Sequence, residues 1–254
     1  MTRIDLNCDL GESFGPWQMG EDAALLDVVS SANLACGFHA GDFMTMQQAV
    51  TAAMERGVAI GAHVSLPDLQ GFGRREMRVT PAEAHAMTLY QLGALHGFAR
   101  AAGARLSHVK PHGALYNMAA RDRALADAIA AAVCRFDSRL RLFGLGGSAL
   151  VDAGAAQGLT VVAEAFADRR YRADGTLQPR SEPGAVIDDA ELATAQALQI
   201  ALDGAVTATD GSRIELRADT LCLHGDGVHA VRLARSLRSG LEAAGVRIAA
   251  PGEA

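Results

Sequence analysis

Residues 3–12 read RIDLNCDLGE. In a strand, whose side chains alternate with a period of two, Asp5, Asn7 and Asp9 share one face, while Ile4, Leu6, Cys8 and Leu10 share the other. An edge strand facing water would explain such a polar row, and so would the wall of a site. The other strands decide between them. Apolar runs at 3–8, 32–36, 58–62, 106–110, 140–144, 159–164 and 219–223 alternate with amphipathic stretches such as DFMTMQQAVTAAMERG from Asp42 and ADAIAAAVCRF from Ala126. Seven strand-then-helix units with short connections predict a parallel sheet covered by helices. Asp5/Asn7/Asp9, Gly37/His39, His63, His108/Lys110/His112, Glu164 and His224/Asp226 lie at or just past the C-terminal ends of six of these strands. In an open doubly wound sheet they would be spread along a line. In a closed barrel they converge on one mouth, where active sites are built, so the barrel is expected.

Local signals agree with this division. Thr80-Pro81-Ala82-Glu83 combines an N-cap threonine, proline at N1 and glutamate at N3, and Asp188 with Glu191 repeats the box without the proline. Gly57, Gly103, Gly158 and Gly245 each stand where a helix should close before the next strand. No Pro/Ser-rich linker or break in composition interrupts the chain, which predicts one domain over residues 1–254. The irregular stretch is 165–217, where Asp174-Gly175 and Asp210-Gly211 predict hairpins in an insertion that could cover one end of the sheet.

Bulk properties exclude several classes. Of 254 residues, 50% are hydrophobic and 20% charged, which is ordinary for a folded globular chain and unlike a disordered one. A formal charge of −6 lacks the basic field that non-specific nucleic-acid binding requires. No apolar run approaches the roughly 18 residues of a membrane span, and no charged-then-apolar signal pattern opens the sequence. Cys8, Cys36, Cys134 and Cys222 form no C-x-x-C pair, so reduced thiols in a cytoplasm are expected.

The chemistry-bearing motifs are SHVKPHGALYN, NLACGFHAGD, IGAHVSLPD and CLHGDGVHA. The first puts His108, Lys110 and His112 on one strand face, where three basic groups need acids opposite them; the aspartates of the first strand can supply these. The second aligns Asn33, Ala35, Gly37 and His39, with Asp42 as a helix cap. The third ends a strand at His63. The last aligns Cys222, His224 and Asp226, although Asp226 could equally cap a helix starting near Val228. His85, His96 and His229 fall within predicted helices as surface or packing residues. Two partial matches fail. Asp5-x-Asn7-x-Asp9 begins like a calcium loop, but its glycine is one place late and Pro16 stands where a bidentate glutamate belongs. GLGGSA from Gly144 matches a dinucleotide fingerprint only in its G-x-G-x-x-A form, though a glycine-opened helix N-terminus still suits an anion. Asp9, His39 and His63 are ligand types for a divalent metal, but they come from separate strands.

Taken in order, DLNCDLGE, SANLACGFHAGD, GAHVSLPD, GFGRREM, VKPHGALYN, EAFADRRY, GAVI and LCLHGD resemble the LamB/YcsF family over nearly the whole chain. The third motif departs from the family pattern at Val64 and Leu66, where proline and an aromatic are usual. The resemblance implies a seven-stranded β/α barrel of the glycoside hydrolase/deacetylase type. It also implies ATP-dependent opening of 5-oxoproline to glutamate, carried out with partner subunits B and C. No G-x-x-x-x-G-K-[ST] loop occurs in the sequence, which fits ATP being handled by those partners. In such a reaction Asp9 or Glu164, with Glu12 close by, would be the base for water. Lys110 would stabilise developing negative charge, and His112 or His39 would carry the proton to the leaving nitrogen. His63, His224 and Asp226 complete the expected catalytic group. Asn7, Asn117 and either Arg74 or Arg169 would hold the substrate. A metal-dependent hydrolase of a carbohydrate amide is the alternative that the fold permits.

Overall fold

The computed structural model describes residues 2–224 and 229–253. Its elements in chain order are β1 (Arg3–Leu10), α1 (Asp22–Leu26), β2 (Ser31–Ala35), α2 (Phe43–Glu55), β3 (Ala59–Val64), α3 (Pro81–Ala101) and β4 (Leu106–Pro111). There follow α4 (Gly113–Arg121), α5 (Arg123–Asp137), β5 (Arg141–Leu145), α6 (Ala149–Ala156), β6 (Val161–Phe166) and α7 (Ala190–Leu198). The chain ends with β7 (Ala205–Thr207), β8 (Arg213–Glu215), β9 (Thr220–Leu223), α8 (Ala230–Ala243) and β10 (Arg247–Ile248). β1, β2, β3, β4, β5, β6 and β9 pair in that order, all parallel, and β9 pairs back onto β1. The result is a closed seven-stranded barrel ringed by helices, as the alternating pattern predicts. β10 extends the edge of β1 at Arg3 and Ile4.

The helix signals hold at atomic detail. Thr80 and Glu83 form a complete capping box on α3, and Asp42 caps α2 by accepting from the Thr45 N–H at 2.8 Å. One boundary differs. Asp189, not Asp188, caps α7, because the helix begins at Ala190 and a carboxylate at 189 accepts from both the Glu191 and Leu192 N–H groups at 2.9 Å. Gly57, Gly103, Gly158 and Gly245 all have positive φ, the conformation that stops a helix most readily with glycine. The stretch 165–217 contains α7, a π-helical turn at Gln199–Asp203 and the antiparallel hairpin β7–β8, which reverses at Asp210-Gly211. Asp174-Gly175 reverses the chain between bridged Tyr171 and Leu177.

Outward-facing Leu6, Cys8, Leu10, Leu34, Ala62, Val109, Leu142 and Leu221 are buried under the helices. The inside of the barrel is different. Barrels of this architecture are usually filled by branched aliphatic side chains, yet here Asp5, Asn7, Ser31, Asn33, His108, Lys110, Glu164 and Thr220 are all buried there. Such groups are tolerable only when hydrogen-bonded, and they are. At the lowest level Ser30 and Ser31 donate to Asp5 Oδ1 at 2.6 and 2.8 Å, and Thr220 donates to Oδ2 at 2.6 Å. A level higher, the His108 ring packs against Gly61 so closely that any Cβ there would overlap it.

Burial pushes the Asp5 carboxyl up to about 6, against the pull of its three hydroxyl donors. A carboxyl whose folded pKa lies above its unfolded value holds its proton more tightly in the native state. Its contribution is therefore complete below about pH 4 and is lost as pH rises through about 6. Asp5→Asn is expected to remove this slope, so its stability relative to the unmodified chain should rise by about 2–3 kcal/mol between pH 4 and pH 7. Urea midpoints at the two pH values measure it. A constant difference would show that Asp5 is ionised throughout.

Candidate active site

The barrel's upper interior is organised around Lys110. Its Nζ lies 3.0 Å from Asp9 Oδ1, 2.8 Å from Glu164 Oε1, 3.2 Å from Asn7 Oδ1 and 3.1 Å from Cys222 Sγ. Strand geometry brings these together. Lys110 points inward from the end of β4, Asn7 and Asp9 from β1, Glu164 from β6 and Cys222 from β9. Asn7 donates through Nδ2 to Glu164 Oε1 at 3.0 Å and to Thr220 at 2.7 Å. Asn33 on β2 donates to Asn7 Oδ1 and Asp9 Oδ1 at 2.7 and 2.8 Å. Its own Oδ1 lies 2.8 Å from His108 Nε2. Burial, followed by the Lys110 charge, pushes His108 down to about 3, so it is a neutral ring that donates to Asn33.

These contacts set the charge states. Burial alone would raise Asp9, but the charges of His63 and Lys110 outweigh it and hold the carboxyl well below the usual range. Burial likewise opposes the Lys110 ammonium, and Asp9, Cys222 and Glu164 overcome it, so the lysine stays charged. The ammonium thus faces two carboxylates and an amide oxygen. Its protons already have acceptors.

Beside this system three histidines cluster. His63 Nδ1 donates to the Lys110 carbonyl at 3.0 Å, and His112 Nε2 donates to the Phe72 carbonyl at 2.8 Å. His63 Nε2 then lies 3.0 Å from His112 Nδ1 and 3.2 Å from Asp9 Oδ2. His39 Nε2 is 3.1 Å from Glu12 Oε1, and its ring stacks on His112 with centroids 3.8 Å apart and planes 6° from parallel. Burial lowers both His39 and His112, with His63 adding to the effect on each and His39 adding to that on His112. Both are neutral rings. Glu12, His39, His63 and His112 form a buried group whose ligand atoms could hold a metal ion. Phe72 closes over it, its ring edge-on to His39 and His112 and its backbone at φ 54, in the left-handed region that a bulky residue rarely adopts. Two surface cavities, one beside Arg56 and Arg238 and one beside His229 and Arg235, are lined by none of these residues.

The structure therefore brings Asn7, Asp9, Glu12, His39, His63, Lys110, His112 and Glu164 into one hydrogen-bonded and ion-paired group, with His224 at its edge near Asp9 and Cys222. Asp226 lies outside the described residues. Arg169 is buried, with Nη2 donating to the Gln178 carbonyl at 2.6 Å and Nε without a partner among the described residues. Arg74 is exposed, its guanidinium 4.8 Å from the centre of the Phe72 ring. Asn117 is apart from the group, exposed on α4 with its amide donating to the Gly113 carbonyl at 3.1 Å. Val64 and Leu66 are fully buried core residues, and the Val64 carbonyl accepts from the His112 N–H at 2.8 Å.

Four participants escape a reading by strand period. Asp168, past the end of β6, lies 2.8 Å from His224 Nδ1 and accepts from its N–H at 2.9 Å. Tyr116 on α4 presents a buried hydroxyl, and Glu164 Oε2 is also buried; neither has a hydrogen bond of ordinary geometry. Burial and the nearby Glu164 charge push that phenol far up. Phe72 lies in a loop, and Arg180 Nη2 is buried without a partner among the described residues. Arg180 is near enough that, after burial, its charge is the next cause lowering Arg169 to about 10. The ADRRY segment of the family motif pointed to Asp168; nothing local pointed to Arg180 or Tyr116.

Among characterised relatives, a protein from Methylococcus capsulatus, named as the A component of 5-oxoprolinase, is 60% identical over 249 residues, covering 98% of this chain and 96% of its own length. The crystal structure described as a lactam utilization protein from Thermus thermophilus superposes with a TM-score of 0.93 at 50% identity, over 98% of this chain and 99% of that one. A structure described as the T48 deacetylase with substrate matches at a TM-score of 0.50 and 15% identity, over 97% of this chain and 87% of that one, a likeness of fold alone. No helix among the described residues is long and apolar enough to cross a membrane. The LamB/YcsF family model matches residues 4–254, and with that coverage and these identities the chain belongs to the LamB/YcsF family.

Proposed function

We propose that this chain is the A component of a 5-oxoprolinase, which opens the lactam of 5-oxoproline to L-glutamate at the expense of ATP hydrolysed with companion subunits B and C. The observation that carries the reading is the buried Asp9–Lys110–Glu164 system at the barrel mouth of a chain whose relatives bear that name. A five-membered lactam is a stabilised amide. Phosphorylation of its oxygen by the companion subunits would give a good leaving group. This chain would then orient the activated ring, exclude bulk water and direct one water at the carbonyl carbon. Lys110, saturated with acceptors, acts by keeping Asp9 ionised and fixing Glu164. Glu164 Oε2 and the Tyr116 hydroxyl are buried polar atoms left to contact water or substrate. The neutral His39 and His112 rings suit proton transfer to the ring nitrogen, because a neutral imidazole can accept the proton and then return it.

The substrate carboxylate falls to Arg169 with Arg180. Each has a buried N–H atom without a partner among the described residues, and their mutual repulsion would be relieved by an anion. Arg169→Ala in the assembled enzyme should raise KM about 10–100-fold with a smaller change in kcat, as expected for a charged hydrogen bond made equally in ground and transition states. An unchanged KM would contradict this assignment. The function itself is tested by supplying the chain with subunits B and C and following glutamate and ADP from 5-oxoproline. Equal release of both is expected. Release of acetate from an N-acetylated amino-sugar oligomer without ATP would instead establish the carbohydrate amidase reading.

A further inference from the structure

The hydrogen-bond partners of His63 and His112 fix where their protons are. A backbone carbonyl only accepts, so His63 Nδ1, 3.0 Å from the Lys110 carbonyl, carries a hydrogen, and so does His112 Nε2, 2.8 Å from the Phe72 carbonyl. When both rings are neutral, His63 Nε2 and His112 Nδ1 are then both lone pairs. They face each other at 3.0 Å, with the rings 86° apart. A third acceptor, Asp9 Oδ2, is 3.2 Å from His63 Nε2, and a fourth, Glu12 Oε1, is 3.6 Å from His112 Nδ1. Asp9 uses its other oxygen for Lys110 and Asn33. Four acceptors from four segments converge here, and acceptors at such distances repel unless something positive lies between them.

We infer that His63 Nε2, His112 Nδ1, Asp9 Oδ2 and Glu12 Oε1 form a binding site for a borderline divalent cation of the Zn²⁺ type. Four ligands about 2.0–2.1 Å from a tetrahedral ion stand about 3.3 Å from one another, and the separations here, 3.0, 3.2 and 3.6 Å, bracket that value. Imidazole nitrogens select Zn²⁺ and its neighbours over Mg²⁺, which favours oxygen ligands. The second nitrogen of each ligating ring donates to a carbonyl, as outer contacts of metal-bound histidines do. His39 belongs outside the ligand set despite its proximity. A ring binds a metal in its own plane, and rings stacked at 3.8 Å and 6° cannot both direct lone pairs at one ion. His39 instead donates from Nε2 to Glu12 Oε1 at 3.1 Å and orients that carboxylate. The shared-proton arrangement, with one doubly protonated histidine, is the competing account of the same geometry.

The inference stands apart from the lactam reading, because metal content is measured without substrate or partners. The full chain is stripped with chelator, reloaded with Zn²⁺ or Co²⁺, dialysed and analysed for metal by mass spectrometry, with circular dichroism to confirm folding. One equivalent of either ion is expected, with the intense visible bands of four-coordinate Co²⁺ and a raised melting temperature, since an ion that binds only the native state stabilises it. His112→Ala and His63→Ala should lose the ion, whereas His39→Ala should retain it with affinity lowered about 10–100-fold. A folded unmodified chain that takes up neither ion overturns the inference, whatever the fate of the variants. Uptake undiminished in His63→Ala or His112→Ala overturns it as well.

Discussion

Lys110→Ala is expected to lower ring-opening turnover of the assembled enzyme about 10²–10³-fold, the usual loss when one charge-organising donor is removed from an active site. The sequence alone argues that such a change leaves the fold intact, since a residue at a barrel mouth serves chemistry more than packing. The structure argues otherwise. Lys110 is only 2% exposed and is the cation shared by Asp9 and Glu164, so its removal strands two buried carboxylates. Breaking a buried pair from one side costs about 3–5 kcal/mol, and the variant should unfold correspondingly earlier in urea. Asp9 also loses one of the two charges that hold its carboxyl low, leaving His63 as the main one. Lys110→Met keeps most of the side-chain volume and should show the same loss of rate. Normal turnover by either variant would refute the role given to the lysine.

Much of the fold was legible because its signals are local. Period two in RIDLNCDL, the Thr80 capping box and the helix-closing glycines each depend on a few neighbouring residues. The convergence of polar groups on one mouth was also legible, since it needs only strand direction and side-chain alternation. The interior was not. Whether Asp5 faces substrate or a ring of hydroxyls depends on Ser30, Ser31 and Thr220, which come from other parts of the chain. The pairing of Asp168 with His224 crosses 56 positions of sequence, and Phe72 acts through a left-handed backbone that its identity disfavours. The fit of His108 against Gly61 joins two strands that hydrophobic pattern cannot align. The placement of Asn117 on an exposed helical face shows the same limit: a motif preserves order along the chain, not direction in space.

The second large effect concerns partners. The chain has a constellation suited to water activation and proton transfer, but its sequence contains no phosphate-binding loop of the G-x-x-x-x-G-K-[ST] kind. Without activation, a lactam carbonyl would have to be attacked at a ring whose amide resonance is intact. Dispersed across a buried, already satisfied network, the polar groups here offer positioning more than brute electrophilic force. A phosphorylated lactam, in contrast, would be short-lived in water and would need to pass directly from the subunit that makes it to the one that opens it. Turnover should therefore be absent from the isolated chain and appear only in the assembly. The decisive measurement titrates subunits B and C into the purified chain while ADP and glutamate are followed together. Neither product should form from 5-oxoproline and ATP with the chain alone, and both should rise in equal amounts once the partners are present. Glutamate released by the chain alone, with no ADP, would contradict the account and place the whole reaction in this barrel.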